Sequence, residues 1–274
     1  MTAILDRPPD VTTPPATAPA PAVPALPSRP FRVFRYRRGD ERPHWDRFEV
    51  PVPGARATVL DALTWIRARL DPTLDVRHSC FHASCGTCGM RVNGRDVLAC
   101  VTRLDEVGGG TGEITVEPLL NQPLVSDLVV DIEALYEAFE RVGMPLVRRS
   151  DVVPDGHPAP DVPELTRFED CIECGLCLSA CPVAASDDGY MGPAVLAAAS
   201  RVIDEPRSVD VEREFTLVDG DHGAWRCHLA FECNEVCPSD GLPGDMIMHL
   251  RRGLLRHRLQ TAFGRGRSAA GSGT

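Results

Sequence analysis

Eleven cysteines fall into three groups, and their spacing within each group suits iron-sulfur chemistry. The first group is Cys80-x4-Cys85-x2-Cys88-x11-Cys100, within HSCFHASCGTCGMRVNGRDVLAC. Three thiolates on a tight glycine-containing loop, with a fourth on a later returning strand, match the plant-type spacing for a 2Fe-2S cluster. Gly86 and Gly89 let the backbone wrap close to such a cluster, where amides donate to sulfur and help set its potential. Cys85-x2-Cys88 alone would equally suit a zinc knuckle, but a zinc ribbon brings a second C-x2-C, which Cys80 and Cys100 do not supply. Cys80-x-His82 looks like half of a Rieske site, yet no C-x2-H follows, so His78 and His82 read as surface or neighbouring residues.

The second group, Cys171-x2-Cys174-x2-Cys177-x3-Cys181-Pro182, is the bacterial ferredoxin run, whose fourth cysteine serves the other cluster of a pair. Its partner is CHLAFECNEVCP, with Cys227, Cys233 and Cys237, and with Ala230 where the ladder demands a ligand. By the crossing rule, Cys171, Cys174, Cys177 and Cys237 form a 4Fe-4S site, which leaves Cys181, Cys227 and Cys233 together. A corner iron facing only the methyl of Ala230 is poorly held, so this last site is expected to carry a 3Fe-4S cluster. The three sets use every cysteine and leave none for a nucleophile or a disulfide.

Neighbouring residues have competing readings. His228 either touches a quinone or a cluster sulfur, or packs beside its ligand neighbour; with Pro182 and Ala230 it forms the candidate quinone-proximal or cluster-lining set. Trp225 is expected in the core, and Met246 and Met248 in helix packing. The basic run HLRRGLLRHR at 249–258 reads either as facing anionic lipid or as a solvated helix face.

The elements that must position these residues differ along the chain. Residues 1–30 are Pro- and Ala-rich and are expected to form a disordered tail. FRVFRY, FEVPV, MRVNG and EITVEPL read as strands around the helical segment TVLDALTWIRARL, with Val59, Leu63, Ile66 and Leu70 at helical spacing. GGGTG at 108–112 lacks the spacing of a nucleotide loop and reads as a flexible hairpin loop. SDLVVDIEALYEAFERVG reads as an amphipathic helix closing a first domain over 31–143. A proline-rich linker over 144–164, a helical domain over 165–262 and a disordered tail over 263–274 complete the expected organisation.

Composition limits the function. A formal charge of −10 argues against a general nucleic-acid binder. No apolar run approaches the length of a membrane span, so membrane association would come through a partner or a surface. The first residues, with Asp6 and no basic-then-apolar pattern, predict no secretory leader and hence reduced cytosolic cysteines. All 29 basic residues are Arg, which points to a GC-rich bacterial genome. Three one-electron centres with no flavin or nucleotide fingerprint and no acid-base constellation describe a wire.

The order of these motifs resembles the iron-sulfur subunit family of succinate dehydrogenase and fumarate reductase over residues 31–260. The resemblance rests on SCFHASCGTCGMRVNG, NGRDVLAC, DLVVDIEALY and YMGPAVLAAASR together with the two later cysteine runs. It implies an α+β chain: a β-grasp plant-type 2Fe-2S ferredoxin domain followed by an all-α domain like bacterial ferredoxins. It further implies an FAD-containing flavoprotein partner that oxidises succinate, a membrane anchor with quinone, and a peripheral position on the cytoplasmic face of a bacterial membrane. Substrate and flavin residues would lie on the partner, so no catalytic residue is assigned to this chain. The alternatives are the subunit of a quinol-fumarate reductase and a stand-alone multi-cluster electron carrier.

Three departures from the family pattern bear on the quinone end. Pro182 is followed by Val183-Ala184-Ala185-Ser186 rather than by Ser and a nearby Trp, Ser239-Asp240 replaces a usual Lys, and Phe81 stands where an Arg is common. The acceptor is therefore expected to be positioned mainly by the anchor.

Overall fold

The computed structural model describes residues 27–52, 54, 56–110, 112–144, 170–205 and 210–269. The expected linker, apart from Met144, and nearly all of the expected N-terminal tail lie outside the described residues.

Strand β1 (Ser28–Arg35) alternates in burial, with Phe31 and Val33 turned fully inward. It pairs antiparallel with β2 (His44–Pro51) and parallel with β5 (Ile114–Glu117). A parallel pair needs a crossover. Here it carries α1 (Val59–Arg69) and the hairpin β3 (Gly89–Val92) and β4 (Arg95–Leu98). The sheet order is β2-β1-β5-β3-β4. Thr58 and Asp61 form a reciprocal capping box that starts α1. Val59, Leu60, Leu63 and Ile66 are fully buried, each contributing about 1.5–3 kcal/mol. Leu70, expected on the same stripe, caps the helix and is 48% exposed.

Two expectations need correction in this half. β4 and β5 are not neighbours in the sheet, so the GGGTG segment is a connection crossing β3 rather than a hairpin loop. It holds a short 3-10 turn (Val107–Gly110) and is tied down by Arg29, whose buried guanidinium donates to the carbonyls of Leu104, Val107 and Gly112. The helix expected from SDLVV onward starts only at Glu133, as α2 (Glu133–Arg141). Residues before it form the hairpin β6 (Leu124–Ser126) and β7 (Val129–Val130), because Asp127 between them is buried with φ 43°. The Asp127 carboxylate accepts hydrogen bonds from Tyr36 N, Asp75 N and Arg35 Nε, a demand that outweighs local helix preference.

From residue 170 onward the described elements are helical. They comprise α3 (Leu176–Ser179), α4 (Pro193–Ile203), α5 (Val211–Val218), α6 (Glu232–Glu235) and α7 (Pro243–Ala269). Pro193 at the first position of α4 follows Gly192 at φ 87°. Ala194 to Ala199 are all buried, and the four alanines among them let α5 and α7 pack close. α7 runs past the expected boundary at 262, since Gly264 and Gly266 lower helix propensity but, unlike proline, remove no backbone donor.

Two cores result, one under the sheet and one among the later helices. Leu176 of α3 belongs to the first, where it is 1% exposed, so the two halves interlock.

Candidate metal centres

The loop carrying Cys80, Cys85 and Cys88 is shaped by left-handed residues at Phe81 (φ 62°), Ala83 (φ 59°) and Gly86 (φ 70°). That shape turns amides inward: His82 N, Ser84 N and Cys85 N donate to Cys80 Sγ at 3.5, 3.3 and 3.4 Å, and Ala83 N donates to Cys100 Sγ at 3.3 Å. The β3–β4 turn at Asn93-Gly94, both left-handed, closes the hairpin that returns Cys100 beside Cys88; Ala99 N donates to Cys88 O at 3.1 Å. The amide from His82, followed by those of Ser84 and Cys85, brings the Cys80 thiol down to about 6. Burial pushes Cys88 up to about 12.

Cys171, Cys174, Cys177 and Cys237 line one cavity. Gly241 N donates to Cys237 Sγ at 3.2 Å. Burial raises Cys171 and Cys174 to about 11 and Cys177 well beyond its ordinary value. Cys181 leaves its own run and stands instead with Cys227 and Cys233. There burial first, then the neighbouring thiols, raise Cys233 to about 12. Leu229 N donates to Cys227 Sγ at 3.4 Å. Thiols this reluctant to ionise fit partners that bring positive charge, such as cluster irons.

The two later runs repeat one another in backbone form. Cys174 lies between Glu173 (φ 54°) and Gly175 (φ 76°), ahead of the four-residue helix holding Cys177. Ala230 lies between Leu229 (φ 59°) and Phe231 (φ 62°), ahead of the four-residue helix holding Cys233. Ala230 thus occupies the backbone position that Cys174 occupies in the intact run.

Among the described residues, no three His, Cys, Asp or Glu side chains converge closely enough for a single metal ion. A cluster of several irons spreads its thiolates more widely. Two observations test the fit: the amides trained on Cys80, Cys100, Cys227 and Cys237, and the buried Tyr190 hydroxyl, which meets no nitrogen or oxygen partner and lies near Cys181, Cys227 and Cys233. Both suit sulfur-rich groups.

The sites form a chain of contacts. A Cβ at Gly86 would lie 2.8 Å from Ile172 O and 2.9 Å from Cys174 Cβ, so the first loop presses on the second run. Cys177 in turn interacts with Cys233 of the third group. His228, Pro182 and Ala230 are all exposed, which sets aside the packed reading of His228. Trp225 is not core either: it is 37% exposed, donates to Asp219 Oδ1, and lies near the guanidinium groups of Arg251 and Arg258.

Arg251 is a positioning residue that sequence reasoning missed. It donates to Ala224 O at 2.9 and 2.7 Å and to Cys227 O at 2.5 Å, clamping the Cys227 loop onto α7. It lay hidden in the basic run, where only its distance partners distinguish it. His249 pairs with Asp204, His257 with Glu212 and Arg258 with Asp219, so much of that run is engaged within the protein rather than presented to lipid.

Residues 30–137 match the family described as a 2Fe-2S iron-sulfur cluster binding domain, and residues 167–240 match a 4Fe-4S dicluster domain. The fumarate reductase iron-sulfur subunit of Mycobacterium tuberculosis is 38% identical over 232 residues, covering 82% of this chain and 92% of that protein. The chain belongs to the fumarate reductase and succinate dehydrogenase iron-sulfur subunits. This iron-sulfur subunit is also 33% identical over 222 residues to the fumarate reductase counterpart of Haemophilus influenzae, covering 76% of this chain and 85% of the relative. It is 31% identical over 219 residues to the mitochondrial succinate dehydrogenase [ubiquinone] iron-sulfur subunit of Candida glabrata, covering 78% of this chain and 85% of that one. Its fold is similar to a chain of the Mycobacterium smegmatis Sdh1 complex in the apo form, with TM-score 0.76, 26% identity, and coverage of 86% of this chain and 98% of that one.

Proposed function

We propose that this chain is the electron-transfer subunit of a succinate:quinone oxidoreductase, carrying electrons from an FAD-containing flavoprotein towards quinone in a membrane anchor. The observation that carries the reading is the exchange of fourth cysteines: Cys237 joins Cys171, Cys174 and Cys177, while Cys181 joins Cys227 and Cys233. Cys80, Cys85, Cys88 and Cys100 would hold a 2Fe-2S cluster, the first exchanged set a 4Fe-4S cluster, and the second, with Ala230 at the open corner, a 3Fe-4S cluster. Bound there, such groups supply one-electron carriers between a two-electron donor and its acceptor. The chain's amides and buried side chains hold sulfur, exclude water and keep neighbouring sites in contact.

In this reading residues 31–143 form a β-grasp ferredoxin domain and residues 165–262 an all-α ferredoxin-like domain. The exposed Pro182, His228 and Ala230 mark the acceptor end, with the subunit peripheral on the cytoplasmic face of the membrane. No described helix is long and apolar enough to cross a membrane. The relatives named fumarate reductase subunits favour a second reading, quinol-driven fumarate reduction on the partner. Comparing the complex's rates in the two directions separates them.

The test is EPR with iron counting on the intact complex. Three distinct spin systems and about nine irons per chain are expected. Eight irons in two cubanes, or a chain that purifies alone without a flavoprotein, would overturn the reading.

A further inference from the structure

Tyr190 opens the segment leading into α4 and is 6% exposed. Its backbone is pinned, with Tyr190 N donating to Asp187 O and Met191 N to His222 O, both at 3.1 Å. Among the described residues its hydroxyl meets no nitrogen or oxygen partner, and the nearest polar neighbour it interacts with is the Cys227 sulfur. Leaving a buried donor unpaired is destabilising, so a fixed phenol without a nitrogen or oxygen partner points to an acceptor outside the polypeptide. The ring packs in the same buried cluster as Cys181 and Cys233, with Cys227 against it. A tyrosine hydroxyl carries one donor hydrogen that it can offer to such a partner.

We propose that Tyr190 donates a hydrogen bond to a sulfur of the cluster held by Cys181, Cys227 and Cys233, on its Cys227 side. This rests on assigning those three cysteines to one cluster. A donor to a cluster sulfur stabilises the added electron and so raises the reduction potential. Leu229 N already serves Cys227 Sγ from the backbone; Tyr190 adds a side-chain donor that a single substitution can remove. Tyr190 is therefore a positioning and tuning residue for the last centre of the wire and makes no contact with substrate.

The test uses the intact complex and an EPR-monitored redox titration. Tyr190→Phe keeps the ring and deletes the donor. The reduced-to-oxidised ratio of the 3Fe-4S centre at fixed potential should fall about tenfold, which is about 59 mV for a one-electron couple. The 2Fe-2S and 4Fe-4S midpoints should stay in place, which a general packing defect would not achieve. An unmoved 3Fe-4S midpoint in Tyr190→Phe overturns the proposal. If that variant fails to assemble, a fluorotyrosine at position 190, a stronger donor of nearly the same shape, should shift the midpoint upward, and no shift overturns the proposal. A parent complex without a 3Fe-4S signal would instead overturn the cluster assignment, and the role of Tyr190 with it.

Discussion

A cysteine at position 230 would enter a backbone already shaped for one, since Leu229 and Phe231 flank it with the same left-handed turns that flank Cys174. Ala230→Cys is therefore expected to convert the proposed 3Fe-4S centre to 4Fe-4S, read as loss of the oxidised 3Fe-4S EPR signal and a gain in iron content. Retention of the signal at full intensity would show that the corner is closed by something other than a missing ligand. His228 tests the acceptor end. Its exposed imidazole forms no hydrogen bond among the described residues, and the anchor is expected to do most of the positioning. His228→Ala should leave quinone reduction within about a factor of three, less than about 1 kcal/mol in the barrier. A loss of several orders of magnitude would place His228 in direct contact with quinone. The cysteine sets were legible in sequence because spacing is itself a covalent constraint. The roles of Arg251 and Tyr190 were not, because each depends on partners far away along the chain.

At the scale of elements, the loop over 80–88 depends on glycine at one point. Gly86 sits at φ 70° with Ile172 O and Cys174 Cβ where a side chain would go. Gly86→Ala combines about 1–2 kcal/mol of left-handed strain with a steric conflict against the second cysteine run. Weaker retention of the 2Fe-2S cluster and a lower melting temperature are expected, both measurable on purified complex; unchanged cluster content would contradict the close approach.

The end of β1 is fixed by Arg35, which binds Asp46, Asp71 and Asp127. Burial alone would raise Asp71, but hydrogen bonds from Thr73 and Arg35 outweigh it and hold the carboxyl at about 2, below its ordinary 3.8. The stabilisation is complete above the unfolded value and disappears as pH falls from about 4 through about 2. Melting curves between about pH 5 and about pH 2 should therefore decline less steeply for Asp71→Asn than for the parent. Strand and helix identities in this region followed from alternation and from the Thr58–Asp61 cap. The β6–β7 hairpin escaped because LVVDIEALY satisfies a helical period, and only the three donors converging on Asp127 reveal the turn.

Across the whole molecule, Ser179 joins the halves. Its hydroxyl donates to Asp96 and accepts from Leu120 N at 2.8 Å, while Asn121 Nδ2 donates to the carbonyls of Leu178, Ser179 and Cys181. Ser179→Ala would leave the buried Asp96 carboxylate with only the Arg91 guanidinium at 3.7 Å and strand the Leu120 amide, at a cost of about 1–3 kcal/mol. The expected signature is separation of one unfolding transition into two, followed by calorimetry. A single transition at the parent temperature would mean that the halves are held by other contacts. The order of a β-rich half and an α-rich half was readable from composition and period, but their interlocking was not, since no local pattern announces that Leu176 belongs to a core built mostly from residues before 131.

That placement of Leu176 bears on biogenesis. Leu176 Cδ2 would lie 3.3 Å from a Cβ at Gly89, as close as Leu119 Cδ1, so the first core is closed by a residue synthesised long after the sheet. A nascent chain ending before residue 170 exposes the apolar floor next to its first cysteine loop, and the same covering face later blocks approach to Gly86 from the Cys174 side. The first core therefore completes its apolar packing beside Gly89 only once the C-terminal half has emerged and docked.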